Sequence, residues 1–244
     1  MTLDDCLIRR GFDFNILDPI CLPQTPGYDI VGHVCVRGSK VDPTFDEGDR
    51  VAALIRTGGN ARFVSIPSSH LVKIPRNIDS AEAVAMVSTF TTAYQTLKRI
   101  KQQGPMFSLL GKRVLILGGM DGVGQALIQM CLKARAEIYA PCPKSCHNYM
   151  KNVLGAHPLP DDKDQWLLLV ESQMDYVFDG VCEDGLETSQ KALTADGELV
   201  CYGHTSMLKE TEMGIFGAPL SAHVRETFFD VAAYIESICR EIIV

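Results

Sequence analysis

The segment Gly118-Gly-Met-Asp-Gly-Val-Gly124 follows directly on an uninterrupted apolar run, Val114-Leu-Ile-Leu117. After it, Val123, Leu127, Met130 and Ala134 recur at helical spacing. A buried strand, a glycine turn and an amphipathic helix, in that order, form the context in which glycines bind a dinucleotide. The first free N–H groups of such a helix and the positive end of its dipole face a diphosphate. Gly118, Gly119, Gly122, Val123 and Gly124 are therefore candidate cofactor contacts. Asp121 stands where the middle glycine of G-x-G-x-x-G lets backbone approach the diphosphate. A carboxylate there adds bulk and negative charge; it either points outward or caps the helix.

Cofactor preference is read at the end of the next strand. An NAD site places Asp or Glu there, on the ribose 2′-hydroxyl. This chain runs Tyr139-Ala-Pro-Cys-Pro-Lys-Ser145, with no acid between Glu137 and Asp161. Lys144 and Ser145 suit a 2′-phosphate instead, through charge-assisted hydrogen bonds, so NADPH is the expected cofactor. Cys142, Cys146 and His147 form a C-x3-C-H run, but no second cysteine pair lies at zinc-site spacing. Free thiols in a strand-to-helix loop are expected, and no metal.

These residues need elements to hold them. Residues 28–36, 51–55 and 61–66 read as short strands separated by glycine and aspartate turns, an antiparallel, barrel-like unit. Asp79 or Ser80 opens a helix running to about Lys101. Beyond Lys112, strands at 113–117, 137–140, 176–179 and 198–202 alternate with helices, as in a doubly wound parallel sheet. A further helix is expected over 224–243. A polar break between 96 and 111 suggests two domains, residues 1–96 and 97–244.

The 244 residues are 46% hydrophobic and 22% charged, with net charge −7. The acidic balance gives no electrostatic case for nucleic acid. No stretch reaches the roughly 20 apolar residues of a membrane span, and the N-terminus lacks a signal-peptide layout. Nine scattered cysteines, an odd number, point to reduced thiols in a cytoplasmic setting.

Pro26-Gly-Tyr-Asp-Ile-Val-Gly32, Phe45-Asp-Glu-Gly-Asp-Arg-Val51, Gly58-Gly-Asn-Ala61, Thr92-Ala-Tyr-Gln95, Val114–Gly124 and Tyr176-Val-Phe-Asp179 resemble, in order, the landmarks of the zinc-free quinone oxidoreductases and enoyl reductases. These form a branch of the medium-chain dehydrogenase/reductase superfamily. The resemblance implies a Rossmann-type sheet beside a partial GroES-like β-barrel domain. It also implies hydride transfer from NADPH to a quinone or α,β-unsaturated carbonyl. Thr92 would hold the nicotinamide end, Tyr202 and Gly203 would end a strand beside the cofactor, and Tyr28 would line the substrate cleft. Asp5 and Arg9 fall in the substrate-side segment, where Arg9 would stabilise an enolate. Where zinc alcohol dehydrogenases have Gly-His-Glu, this chain has Gly27-Tyr28-Asp29. Against the family pattern the chain starts inside the Asp5–Gly11 segment and stops at Val244, so it is expected to be shortened at both ends. The alternative is a catalytically inactive nucleotide-binding or interaction protein, and an exposed sheet edge would favour a homodimer.

Overall fold

A computed structural model describes Arg9 and residues 23–41, 43–100 and 108–203. Asp5, and the helix expected over 224–243, lie outside the described residues. The chain divides into two compact units between Ser88 and Thr89.

In the first unit, β1 (Asp29–His33), β2 (Arg50–Leu54) and β3 (Val72–Lys73) form an antiparallel sheet in that order. Residues 61–66 do not form the expected strand. The turn before them pairs elsewhere: Gly58 N–H donates to Thr25 O, Gly59 N–H to Gly27 O and Asn60 N–H to Pro26 O. Asn60 packs so closely on Gly27 (φ +98°) that a Cβ there would lie 2.6 Å from its backbone nitrogen. Two motifs of the sequence, Pro26-Gly27 and Gly58-Gly-Asn60, thus hold each other rather than extend the sheet.

Helix α1 (Ser80–Lys98) starts at Asp79, whose Oδ1 accepts from Ala81 N–H at 2.8 Å. The division between units falls inside this helix. Ala93, Leu97 and Ile100, from the C-terminal part of the helix and just beyond it, are core residues of the second unit.

That unit is a five-stranded parallel sheet: β4 (Arg113–Leu117), β5 (Glu137–Pro141), β6 (His157–Leu159), β7 (Met174–Asp179) and β8 (Leu193–Cys201), ordered β6-β5-β4-β7-β8. Helices α2 (Gly122–Lys133), α3 (His147–Asn152), α4 (Lys163–Val170) and α5 (Glu187–Ala192) connect the strands. The central place of β4 explains the apolar run Val114–Leu117. Val114 and Ile116 join one core with Leu127, Ile128 and Phe178. Leu115 and Leu117 join a second with Trp166, Val170 and Val177. Each such side chain stabilises the fold by roughly 1.5–3 kcal/mol through burial. This is the α/β Rossmann-type sheet, accompanied by a small antiparallel GroES-like sheet. No helix among the described residues is long and apolar enough to cross a membrane.

Candidate functional site

The strand order reverses at β4, with β5 on one side and β7 on the other, so the turn after β4 lies at the sheet's switch point. Ligands of open α/β sheets bind at such a point, outside the carboxyl ends of the strands. The turn is tight. A Cβ on Gly124 would sit 2.1 Å from the Gly118 carbonyl oxygen, so only glycine lets α2 start against the end of β4. Gly118 adopts φ +83°, which glycine tolerates best. Gly119 packs on Ala140 of β5, and exposed Gly122 lies near the Thr89 side chain. Asp121 N–H donates to Gly118 O at 3.0 Å and closes the turn.

The helix start leaves the N–H groups of Gly122, Val123 and Gly124 without an intrahelical acceptor, as helix geometry requires. No other acceptor among the described residues takes them. These donors, with a glycine where a Cβ would clash, suit a dinucleotide diphosphate.

Asp121 occupies the N-cap position (φ −76°, ψ 163°), but its carboxylate caps nothing. Its Oδ2 is directed towards Gly118, 3.5 Å from where a Cβ would lie. Loss of hydration raises its pKa above the ordinary aspartate value. The carboxylate therefore stands over Gly118, at the start of the glycine turn.

Lys144 and Ser145 are exposed in a short 3-10 turn just beyond β5, on the strand next to the glycine turn. His147 Nε2 lies 3.1 Å from Cys142 O, and Cys142 is buried, so this loop is held by packing. Among the described residues no three His, Cys, Asp or Glu side chains gather as a metal site would need.

Tyr202 and Gly203 continue from β8 over the same end of the sheet. The Tyr202 hydroxyl donates to Leu117 O at 2.8 Å and lies over Gly118 and Gly180. Burial, reinforced by Asp121 and Asp179, pushes its pKa up. Thr92 is half-buried in α1, its carbonyl accepting from Thr96 Oγ1. In the first unit Tyr28 is half-buried, its carbonyl accepting from Ile55 N–H; Arg9 is exposed. The second unit thus brings together Gly118, Gly119, Gly122, Val123, Gly124 and Tyr202.

Sequence reasoning gave no role to Asp179, at the end of β7. Buried Asp179 accepts from Val181 and Cys182 N–H through Oδ1, each at 2.8 Å, and from Ser189 Oγ at 2.6 Å through Oδ2. It fixes the loop bearing Gly180 and Cys182. The signal was an acid ending an apolar strand just before a glycine, Tyr176-Val-Phe-Asp-Gly180.

The fold defines a Rossmann-type protein with a tight glycine turn at its switch point. No protein-family model matches the chain. It is 28% identical over 208 residues to the mouse (Mus musculus) synaptic vesicle membrane protein VAT-1 homolog-like, covering 84% of this chain and 48% of that protein. It is also 28% identical over 189 residues to a probable quinone oxidoreductase of Schizosaccharomyces pombe, covering 76% and 56%. Among solved structures it matches a mycobacterial protein complexed with NADPH at a TM-score of 0.69 and 23% identity, covering 100% of this chain and 78% of that one. The chain spans about half the length of these two relatives. These are likenesses to the quinone-oxidoreductase-like branch of the medium-chain dehydrogenase/reductase superfamily.

Proposed function

We propose that this chain is an NADPH-dependent oxidoreductase acting on a quinone or an α,β-unsaturated carbonyl compound. The observation that carries this reading is the contact of Gly124 with the Gly118 carbonyl, which lets α2 start against the end of β4 with its first N–H groups available to a diphosphate. When bound, the reduced nicotinamide supplies a hydride. The protein binds and orients. The three N–H groups hold the diphosphate, and Lys144 and Ser145 hold the 2′-phosphate that distinguishes NADPH from NADH. Thr92 steadies the nicotinamide end, with Tyr202 and Gly203 beside it. Tyr28, Arg9 and Asp5 serve the substrate side, Arg9 stabilising the negative oxygen that develops as hydride arrives. The relative named as a probable quinone oxidoreductase supports the reaction class. A homodimer paired along β8, an edge strand among the described residues, and a cytoplasmic location complete the reading.

One observation favours a second reading, a nucleotide-binding protein without turnover: the uncapped Asp121 carboxylate faces Gly118 in the glycine turn. A fluorescence titration with NADPH and NADH in parallel, then NADPH oxidation with 1,2-naphthoquinone and an enone, tests both. The reductase reading expects tighter NADPH binding, weakened by Lys144→Ala, and turnover. Binding without turnover supports the second reading. Binding of neither nucleotide defeats both.

A further inference from the structure

The described residues of the second unit hold a pair of thiols with no part in the reading above. Cys201 is the last residue of β8 and pairs in register with Asp179, the last residue of β7. Cys182 lies three residues beyond Asp179, in the loop that carboxylate fixes. Both are half-buried thiols, brought to the same end of the sheet by the β7–β8 register and the loop on Asp179. The Cys182 thiol reaches Gly203 O at 2.8 Å and Asp179 O at 3.8 Å.

The backbone at Cys182 is unusual. It is left-handed, with φ +53°, a conformation that a non-glycine residue adopts only where its surroundings impose it. Here the surroundings are the two N–H bonds to Asp179 Oδ1. The loop presents Cys182 to the end of β8 and holds it there. The Cys182 thiol is engaged with Gly203 O, which leaves Cys201 as the thiol to attack first. A thiolate is the attacking species in disulfide exchange, so the pair has a nucleophile and a resolving partner.

We propose that Cys182 and Cys201 are a redox couple that closes to an intramolecular disulfide by exchange with a small disulfide such as oxidised glutathione, and that closure loosens the dinucleotide turn. The Cys201 thiolate attacks one sulfur of the glutathione disulfide. The S–S bond breaks, one glutathione thiolate leaves and Cys201 carries a mixed disulfide. Cys182, its proton lost to solvent, then attacks the Cys201 sulfur and displaces the second glutathione thiolate. Two protein thiols are oxidised, one glutathione disulfide is reduced to two thiols, and reduced glutathione reverses the exchange.

The consequence for the turn rests on the NADPH reading. Tyr202 lies between Cys201 and Gly203, and its hydroxyl holds Leu117 O at the root of the glycine turn. A disulfide removes the Cys182 thiol proton available to Gly203 O and draws Cys201 towards the β7 loop. The residue between them has then to shift.

The test uses the full chain, reduced and then equilibrated with oxidised glutathione, with intact-mass measurement and peptide mapping after alkylation. The expected result is a loss of two hydrogens and a linked Cys182–Cys201 peptide pair. The linkage disappears on re-reduction and is absent in Cys182→Ser and Cys201→Ser. Both thiols remaining alkylatable, or a linkage to another cysteine, overturns the proposal without recourse to either variant. In the oxidised wild type NADPH binding is expected to weaken about tenfold, within the ordinary range of coupling between sites, and to recover with reductant. Unchanged affinity in the mapped disulfide form overturns the coupling. Failure of the reduced chain to bind NADPH overturns the cofactor reading instead, while the mapped linkage still supports the couple.

Discussion

The Tyr202 hydroxyl donates to the carbonyl oxygen of Leu117 at 2.8 Å, across 85 residues of sequence. The same carbonyl accepts from Gly180 N–H at 3.0 Å. The last residue of β4, where the glycine turn starts, is thereby tied to the ends of both β7 and β8. Tyr202→Phe removes one bond and leaves the acceptor satisfied by the other. The expected cost is the net value of a single hydrogen bond, about 1 kcal/mol. Urea unfolding with an unchanged m-value checks it. A loss several times larger would mean that the hydroxyl organises more than this carbonyl.

Gly124 and Gly122 predict opposite outcomes within one turn of helix. Alanine at 124 drives its Cβ into the Gly118 backbone, which no side-chain rearrangement relieves. Gly124→Ala should destabilise by about 3 kcal/mol, the upper range for overpacking, and abolish NADPH binding. Alanine at 122 meets only Thr89 side-chain atoms at 3.5 Å and gains helix propensity. Gly122→Ala should be neutral or stabilising by roughly 0.5 kcal/mol. Thermal unfolding of the two variants separates close packing from conformational freedom as the reason for glycine.

The strand, turn and helix from Val114 to Lys133 were legible because their signals are local. Four apolar residues fit a strand buried on both faces, and the 3.6-residue pattern puts Leu127 in the core. The failure at residues 61–66 has the opposite origin. Their alternation suits a strand, but Gly58–Asn60 spend their hydrogen bonds on Thr25–Gly27, a pairing over 30 residues away that no local pattern reports. Helix α4 was readable and missed: Asp162 accepts from Gln165 N–H at 3.0 Å, the capping spacing that Asp162-Lys-Asp-Gln165 displays. Asp121 was undecidable, since capping and pointing outward are both locally allowed. The Cys182–Cys201 pair depends on strand register, which composition does not encode.

The raised pKa of Asp121, caused by desolvation, gives a signed pH prediction. Tyr202 from the end of β8 and Asp179 from the end of β7 share its surroundings; α1 presents the uncharged Thr89 to the neighbouring Gly122. The proton is held more tightly in the folded than in the unfolded chain, whose value is near 3.8. Wild-type stability should therefore fall as pH rises from the unfolded value through the folded one. Asp121→Asn has no such loss. It should match wild type well below that window, exceed it at pH 7 and bind NADPH more tightly there. Thermal unfolding and NADPH titration at both pH values check this, and a variant less stable at pH 7 would defeat it.

Asp175 behaves in the opposite sense and gives the control. Burial works to raise its pKa, but the 2.7 Å bond from Lys112, the bond from Arg113 N–H and the two positive charges outweigh it, so the value is lowered. The partnership also raises the pKa of Lys112. The bonds tie the start of β4 to β7. Their contribution should be present at neutral pH and lost as pH falls from the unfolded carboxyl value near 3.8 through the lower folded one. It is lost again as pH rises through the raised value of Lys112. Lys112 is partly exposed, so screening limits the ion pair to about 1 kcal/mol or less. Asp175→Asn should lower the melting temperature at pH 7, by less in high salt, and the gap should close towards pH 2 while that of Asp121→Asn closes with the opposite sign. A gap for Asp175→Asn independent of pH and salt would show that the side chain acts through packing alone.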